Sequence, residues 1–410
     1  MAPNSKAIPW FYIPPCTASN QTATIIGGGL AGTSTAYALA ASGWQVTLIE
    51  RLPVVAGGAS GNRAGIVMPL ISHASDTLGA FYAAGFEATL AQIHALQLPS
   101  SLWRACGVID INPKHAGKPI EALSVPARWI EPVSFRGHKG LYFKAAGHID
   151  VPELCAAQLA AHQGSIHTMF CQEALSLEYD QRAHDWHIKT TQGLLHTTEV
   201  VIIANSHDLL TFEQTAWLPV HKVRGQVTLL PERSDITLES VICREGYMTP
   251  AHQGYHHIGA TYARENHHAD ISMQDHQENM AVFETLFGFT LNDADYDKLK
   301  GRVGFRCATP DRRAIVGPAP IYQDFLQDYA RIKEGHHYTS QDISSSYYPN
   351  LYINTAHGSR GLTSCILSAA HLAAMINGIS GDITAQEQLL HLLLPTRFII
   401  RQLKQAIRTH

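Results

Sequence analysis

A glycine-rich turn between a short apolar strand and a helix constrains the fold of this chain more than any other feature. Thr22–Ile26 is a β-branched, apolar run, and Gly27, Gly29 and Gly32 follow it with the spacing G-x-G-x-x-G. In such a turn the first glycine allows a tight bend, the second lets a diphosphate approach the backbone, and the third lets helix and strand pack closely. The diphosphate then lies at the helix N-terminus, where backbone N–H groups are free. The sequence therefore predicts a dinucleotide-binding β-α-β unit.

The helix and the second strand of this unit follow the turn at the expected spacing. A helix-compatible stretch ends near Gly43, and a second strand covers Val46 to Glu50. The carboxylate of Glu50, at the end of that strand, is placed to accept hydrogen bonds from an adenosine ribose. A glycine-rich turn that binds nothing is the alternative, and the agreement of strand, helix and acid argues against it. Because both FAD and NAD are bound by such a unit, the choice between them depends on other segments.

The pattern of strands and helices continues along the chain and indicates two interleaved domains. Residues 152–162 predict a helix, and residues 199–204 and 351–356 predict buried strands. Residues 220–230 and 241–262 alternate as an antiparallel sheet does. We therefore predict an α/β fold, α+β overall, with a Rossmann-type domain built from discontinuous segments and an inserted, mainly antiparallel β domain for the substrate.

The boundaries that we predict assign every residue to one of four parts. The parts are a lead segment (1–21), a cofactor domain (22–75, 148–215 and 301–385), a substrate domain (76–147 and 216–300) and a basic amphipathic C-terminal helix (386–410). The polar stretches 263–300 and 322–349 carry no readable motif, and we expect them to be surface insertions.

Composition excludes several classes of protein. Of the 410 residues, 45% are hydrophobic and only 16% are charged, so a large core can be buried. The net charge of −4 restricts any nucleic-acid contact to a local patch. Seven Cys without a Cys-x-x-Cys pair argue against a disulfide framework, and 24 His without ligand spacing argue against a metal. No run predicts a signal peptide or a membrane span, so we expect a cytoplasmic protein.

Two further runs of small residues are candidates for cofactor contacts. The run 57–65 is long enough to lie along an extended cofactor, although a flexible surface loop is the alternative; its candidate residues are Ser60, Asn62, Arg63 and Gly65. The turn after the strand 351–356 contains Gly358, Ser359, Arg360 and Gly361 and precedes an apolar helix. Backbone N–H groups and the helix dipole would converge there, which suits the pyrimidine edge of a flavin. A glycine-rich helix cap is the alternative.

Together with the run Gly301–Asp311, these segments resemble the D-amino-acid oxidase family of flavoproteins. Over nearly its whole length the chain is similar to the oxidoreductase part of that family's bifunctional tRNA-modifying members. The resemblance implies an FAD cofactor, bound non-covalently because the offset of Cys307 from Thr309 and Pro310 does not match relatives with a covalent flavin. We expect Cys307 to be a buried, inert thiol.

The implied activity is oxidation of 5-carboxymethylaminomethyluridine, with or without 2-thiolation, at the tRNA wobble position. A hydride passes from the glycine-like methylene to flavin N5, and the imine is hydrolysed to the aminomethyl nucleoside and glyoxylate. No methyltransferase part precedes residue 1 in this sequence, so we expect a separate methyltransferase as a partner. The alternatives are an enzyme that oxidises free glycine, sarcosine or D-amino acids, and a non-catalytic, FAD-stabilised platform for tRNA or a methyltransferase.

The resemblance also implies three residues at the reacting centre. Arg306 matches the position at which related amine oxidases hold the substrate carboxylate, and a guanidinium binds such a group in bidentate fashion; pairing with Asp311 is the alternative. Tyr247 lies where relatives place a tyrosine beside the substrate, or else it is a core aromatic. Arg360 would support negative charge on the reduced flavin. Arg360 and Arg63 could instead form surface ion pairs.

The C-terminal helix is the candidate RNA-binding element. Four cations recur at intervals of four, three and four residues and predict one basic face: Arg397, Arg401, Lys404 and Arg408. The opposite face is apolar, with Ile399, Ile400, Leu403 and Ile407. We expect the basic face to contact tRNA phosphates, and a merely solvated helix face is the alternative.

Overall fold

A six-stranded sheet forms the centre of the cofactor domain in a computed structural model of the chain. The structure describes residues 9–115, 118–193, 195–339, 342, 346–379 and 391–405, without the side chains of 293 and 294. In spatial order the sheet consists of β19 (Ile315–Pro320), β20 (Tyr347–Thr355), β13 (Val200–Ile203), β1 (Thr22–Ile26), β2 (Gln45–Ile49) and β9 (Ile166–Met169). All neighbouring strands are parallel except β19 and β20.

Strand β13 shows why these residues form a central strand. All four of its residues are fully buried, as expected of a parallel strand covered on both faces. Val200 and Ile202 pack with side chains of the helices α1 (Leu30–Ala41) and α7 (Cys365–Ile376). Val201 and Ile203 pack on the other face with Trp186 of a small sheet. That sheet consists of β10 (Ala174–Asp180), β11 (Asp185–Thr190) and β12 (Leu195–Thr198).

The second large sheet has eight strands, seven of which lie in the segments that we predict to form the substrate domain. In spatial order these are β18 (Lys300–Ala308), β14 (His221–Pro231), β17 (Tyr255–Gly259), β16 (Tyr247–Met248), β15 (Val241–Cys243), β5 (Val108–Asp110), β7 (His138–Phe143) and β6 (Ile130–Phe135). The helix α4 (Met273–Phe287) covers one face, where Phe283 packs in one core with Met248. Because successive residues of a strand face opposite ways, Tyr247 points to the other face, towards the cofactor domain.

The remaining elements connect or flank these sheets. A three-stranded sheet contains β3 (Gly65–Val67), β8 (Gly147–Ile149) and β4 (Trp103–Arg104). The other helices are α2 (Thr77–Ala95), α3 (Val151–Ala160), α5 (Asp293–Tyr296), α6 (Tyr322–Asp328) and α8 (Thr396–Gln405). None of the helices in the described part of the chain has the length and apolar character needed to cross a bilayer.

The mixed α/β fold agrees with the prediction, but the contacts differ from it in three places. Strand β18 was assigned to the cofactor domain, yet it pairs with β14 over its whole length. Helix α2 was assigned to the substrate domain, but its Phe81 and Tyr82 lie in the core beneath the parallel sheet. The stretches 263–300 and 322–349 are not simple surface insertions, because α4 and α6 bury Phe283 and Phe325 completely or nearly so. Each helix has a narrow apolar face, which the polar composition of the whole stretch did not indicate.

Candidate active site

The glycine turn lies at the carboxyl edge of the parallel sheet. Gly27 has a φ of +109°, and a Cβ there would lie 2.7 Å from the carbonyl oxygen of Ala204. A Cβ on Gly32 would overlap the carbonyl oxygen of Gly27, and Gly29 is the extended N-cap of α1. Strand β1 has a parallel neighbour on each side, so the turn opens at the crevice where open α/β sheets bind their ligands.

Glu50 and Ser60 fix the two ends of this turn. Glu50 is only 9% exposed, and its carboxylate accepts hydrogen bonds from the N–H groups of Gly28 at 2.6 Å and Leu52 at 2.9 Å. One lone pair on each oxygen remains for ribose hydroxyls. The Ser60 hydroxyl accepts a hydrogen bond from Leu30 N at 3.0 Å, so the run 57–65 crosses the N-terminus of α1. These contacts suit an adenosine diphosphate moiety.

The other residues predicted in the run 57–65 have different surroundings. Asn62 accepts from Ala64 N at 3.1 Å, and its amide donates to the Tyr247 hydroxyl at 3.0 Å, which connects this run to the substrate sheet. Arg63 is 56% exposed and pairs with Asp150 at 3.0 Å, which is the ion-pair alternative. Gly65 serves packing, since a Cβ there would lie 2.6 Å from side chains of α3 and the 361–363 turn.

The turn after β20 brings Arg360 towards the same crevice. His357 anchors the turn through both ring nitrogens, to Ser364 Oγ at 2.8 Å and Asn354 Oδ1 at 3.0 Å. Burial lowers the pKa of His357 to about 4, so it stays neutral at pH 7. Gly358 has a φ of +58°, and a Cβ there would meet nothing within 4 Å; Ser359 is exposed and Gly361 begins the next helical turn. The turn thus borders open space.

Arg360 carries a cation that no carboxylate neutralises directly. Burial lowers the pKa of Arg360, but a guanidinium keeps its proton in proteins. Among the described residues it makes no ion pair, and the nearest groups that interact with it electrostatically include Tyr82, Cys243 and Asp110. Arg360 is partly buried, and a partly desolvated cation without an ion-pair partner is costly. An electron-rich group bound beside the turn would relieve that cost.

Arg306 is a second such cation, on the face of the substrate sheet that looks towards the cofactor domain. Its Nη1 donates to the carbonyl oxygen of Thr261 at 3.1 Å. Burial lowers its pKa, and the neighbouring hydroxyls of Tyr247 and Tyr262 act in the opposite direction. In the described part of the chain it has no carboxylate partner. The predicted alternative, a pair with Asp311, is not formed, because Asp311 binds two arginines of α8 instead.

Tyr247 lies next to Asn62 and Arg306. Burial raises the pKa of Tyr247 to about 12, so the phenol is neutral at pH 7. Since the Tyr247 oxygen accepts the amide hydrogen of Asn62, its own hydrogen is available to another acceptor. The structure thus brings Asn62, Tyr247 and Arg306 together at the interface of the two domains.

Sequence reasoning missed three residues of the site. Two of them position Arg306, and the third contacts the run 57–65. Gly225 lies beneath the guanidinium, where a Cβ would be 2.5 Å from Nη1, and Thr261 supplies the carbonyl acceptor. Arg302 donates to the carbonyl oxygens of Gly57 and Gly58. The Gly-Arg-Val-Gly-Phe-Arg alternation in β18 was the available signal, since it places Arg302, Gly304 and Arg306 on one face.

Cys307 is buried, and the described histidines do not cluster with other metal-ligand side chains. Cys307 is 5% exposed, and burial raises its pKa to about 12, which fits an unreactive thiol. All seven cysteines are free. Across the described ranges, no three His, Cys, Asp or Glu side chains are grouped so as to hold a metal ion.

The predicted basic face of the C-terminal helix requires a correction. Arg397 is only 7% exposed, because it bonds to Asp311 at 3.0 Å and caps the carbonyl oxygens of Leu393 and Leu394. Arg401 also binds Asp311, at 2.9 Å, and is 41% exposed. Lys404 lies 5.0 Å from the Trp10 ring, and Arg408 is outside the described residues. Ile399, Ile400 and Leu403 are buried as predicted. The helix is therefore first of all a structural element.

Comparison with known proteins identifies the family of this chain and the cofactor that fits this crevice. A family model described as "DAO: FAD dependent oxidoreductase" matches residues 22–375. The proteins named "tRNA 5-methylaminomethyl-2-thiouridine biosynthesis bifunctional protein MnmC" from Chromobacterium violaceum and Pseudomonas putida are 33% and 34% identical to this chain. Each alignment covers 96% of this chain and 62% of the relative, so the chain spans less than two thirds of their length.

Solved structures show the same fold. Glycine oxidase from Geobacillus kaustophilus superposes with a TM-score of 0.67 at 16% identity, over 88% of this chain and 95% of its own. Amadoriase I from Aspergillus fumigatus superposes with a TM-score of 0.66 at 14% identity, over 90% of each chain. The glycine turn, the Glu50 carboxylate and the unpaired Arg360 fit FAD, which is the cofactor. The chain belongs to the DAO family of FAD-dependent oxidoreductases.

Proposed function

We propose that this protein oxidises the carboxymethylaminomethyl side chain of the tRNA wobble uridine to the aminomethyl group, with release of glyoxylate. The observation that carries the proposal is the partly buried guanidinium of Arg306, which has no carboxylate partner among the described residues and lies beside the neutral Tyr247 hydroxyl. A glycine-type carboxylate would complete this pair of donors.

The chain's own residues would hold the substrate in a fixed orientation. Arg306 binds the carboxylate as a bidentate partner, and Tyr247 donates its free hydrogen to the same group. Asn62 keeps Tyr247 in place by donating to its oxygen. With the carboxylate fixed, the methylene next to it is presented in one geometry, which accounts for a large part of the rate of such reactions.

No strong side-chain base is needed for this reaction. FAD supplies the hydride acceptor when bound, and the neutral amine assists loss of the hydride. Arg306 and Arg360 are both cationic, so they disfavour the ammonium form of the substrate amine by repulsion. Arg360 also stabilises negative charge that develops on the electron-accepting side. Water then hydrolyses the imine to the aminomethyl group and glyoxylate.

The tRNA substrate is supported by the relatives rather than by the site alone. Their names concern biosynthesis of 5-methylaminomethyl-2-thiouridine in tRNA, and they are 33% and 34% identical to this chain over the aligned 62% of their length. We extend that substrate to this protein as a proposal. Methylation of the product amine is a separate reaction, and we propose that a partner methyltransferase carries it out. We also propose a cytoplasmic location for this protein.

Two experiments test the proposed function together. In a strain that lacks the gene, nucleoside analysis of tRNA should show accumulated carboxymethylaminomethyluridine. An unchanged tRNA profile with altered amino-acid pools would favour oxidation of free glycine, sarcosine or D-amino acids. The Arg306 guanidinium, which we call the carboxylate clamp, would bind the carboxylates of these compounds in the same way.

For the purified protein, Arg306→Leu should retain FAD but lose flavin reduction by modified tRNA. Arg128→Leu, which removes an exposed arginine paired with Glu87, is the matched control and should behave as wild type. Full activity of Arg306→Leu would show that the clamp is assigned to the wrong residue. Flavin that no amine reduces would favour a non-catalytic platform.

A further inference from the structure

An exposed tyrosine stands directly beside the carboxylate clamp. Tyr262 follows Thr261, whose carbonyl oxygen accepts the hydrogen bond from Arg306. Its side chain is 50% exposed, which is unusual for a large aromatic residue of the substrate domain. The Cζ atom of Arg306 lies 5.8 Å from the centre of the Tyr262 ring, and that of Arg264 lies 5.9 Å from it. The half-exposed ring therefore has two cations nearby.

The segment that carries Tyr262 is held firmly at both ends. The buried Arg224 exchanges backbone hydrogen bonds with Ala263 at 2.8 and 3.0 Å. Its guanidinium donates to the carbonyl oxygens of His268 and Asp270, both at 2.7 Å, and pairs with Asp275. Tyr262 directly precedes the first of these anchors, and on its other side the Thr261 N–H donates to the carbonyl oxygen of Gln226 at 3.2 Å. Both neighbours of Tyr262 are therefore hydrogen-bonded to β14, which fixes the backbone that carries the ring.

The same segment borders a shallow, solvent-open cavity of about 560 Å³. Its lining residues are Ala263, Arg264, Glu265, Asn266 and His268. One cation and one carboxylate balance each other in this set, so the lining does not select a polyanion. It offers both donors and acceptors, which suits the carbonyl groups and N–H of a pyrimidine base and the hydroxyls of its ribose.

We infer that Tyr262 is the stacking platform for the uracil base of the wobble nucleotide, and that the cavity beside it receives the nucleoside; this inference rests on the proposed function. The substrate side chain sets the distance. Four bonds separate uracil C5 from the carboxylate carbon, which gives a reach of roughly 5 Å. A carboxylate held by Arg306 therefore leaves the base within contact of the Tyr262 ring. Stacking on an aromatic ring contributes to nucleotide binding and is tolerant of base identity.

The inference makes Tyr262 a residue that selects tRNA over free amino acids. A free glycine or sarcosine fills the Arg306 clamp but has no base to place on Tyr262. The carboxylate clamp then determines how the reacting carbon is oriented, and Tyr262 determines how tightly the nucleoside is held. The two contributions are separable in kinetic experiments.

The test measures anaerobic flavin reduction by tRNA that carries carboxymethylaminomethyluridine, using wild type, Tyr262→Ala, Tyr262→Phe and Tyr255→Ala. Tyr262→Ala should raise the half-saturating tRNA concentration about 10- to 100-fold and leave the limiting rate within about threefold. Tyr262→Phe, which retains the ring, should restore wild-type saturation. Tyr255→Ala removes a tyrosine that contacts Lys300 on the same sheet and should change neither value.

The possible results separate this inference from the proposed function. If wild type is not reduced by the modified tRNA, the proposed function fails and the inference fails with it. If wild type is reduced and Tyr262→Ala saturates at the same concentration, only the inference is overturned. A fall in the limiting rate with unchanged half-saturation also overturns it, since Tyr262 would then orient Arg306 instead of binding the base.

Discussion

Replacement of Gly225 by alanine tests the position of the Arg306 clamp without touching the clamp itself. A Cβ at Gly225 would lie 2.5 Å from Nη1 of Arg306 and 2.7 Å from Nη2, whereas ordinary contacts begin at 3.4 Å. The guanidinium must therefore move by about 1 Å, and it loses its 3.1 Å hydrogen bond to Thr261. Because a displacement of about 1 Å in a positioning group can cost about 100-fold, we expect kcat/KM to fall by that factor, or about 2.7 kcal/mol.

The stability of the Gly225→Ala variant should not fall with its activity. Gly225 lies in β14 and has no left-handed φ, and the atoms that obstruct its Cβ belong to the far end of a flexible side chain. Alanine in a strand interior is favoured over glycine by roughly 0.5–1 kcal/mol. We therefore expect an unchanged or slightly raised melting temperature and a normal visible flavin spectrum.

The assay compares Gly225→Ala with Gly164→Ala in anaerobic flavin reduction by modified tRNA. Gly164 is the matched control, since a Cβ there meets nothing within 4 Å. Wild-type kinetics in a Gly225→Ala protein with full FAD content would refute the assignment of Arg306 as a clamp held in this orientation. Loss of FAD together with activity would instead place the effect in the fold.

Three other changes have defined outcomes. Gly32→Ala forces a methyl group against the backbone carbonyl of Gly27, so we expect a colourless, destabilised protein; yellow Gly32→Ala protein would contradict the tight turn. Although burial alone would raise it, hydrogen bonds from Arg397 and Arg401 hold the pKa of Asp311 well below its usual range. The ionised Asp311 carboxylate therefore stabilises the fold at pH values above its unfolded-state pKa of about 3.9. This stabilisation is lost as the pH falls through the lower pKa of the folded state. Asp311→Asn should lower the free energy of unfolding at pH 7 by about 3–5 kcal/mol, measured by denaturant titration, since it leaves Arg397 buried and unpaired. Lys404→Ala should reduce the salt dependence of tRNA binding by about one phosphate contact, and an unchanged slope would remove Lys404 from the RNA interface.

The cofactor half of the site could be predicted from the sequence because its determinants are local. Gly27, Gly29 and Gly32 follow their strand within one turn, and Glu50 ends the next strand, so spacing alone places them together. The turn at Gly358 is likewise defined by the strand and helix on either side. Such features need no knowledge of which strands pair.

The substrate half could be predicted only in part. The resemblance pointed to Arg306 and Tyr247, but Gly225 and Thr261 reach Arg306 across neighbouring strands, and such contacts depend on a register that no local pattern encodes. In the C-terminal helix the difficulty was different. Spacing predicted a basic face, but it could not show that Arg397 of α8 binds a carboxylate 86 residues away.

Anaerobic mixing of the FAD-loaded protein with tRNA that carries carboxymethylaminomethyluridine shows whether the protein oxidises this side chain. We expect loss of the visible flavin absorbance, with one glyoxylate formed for each flavin reduced. Flavin that stays oxidised with this tRNA but is reduced by free glycine, or reduction without glyoxylate, would contradict it.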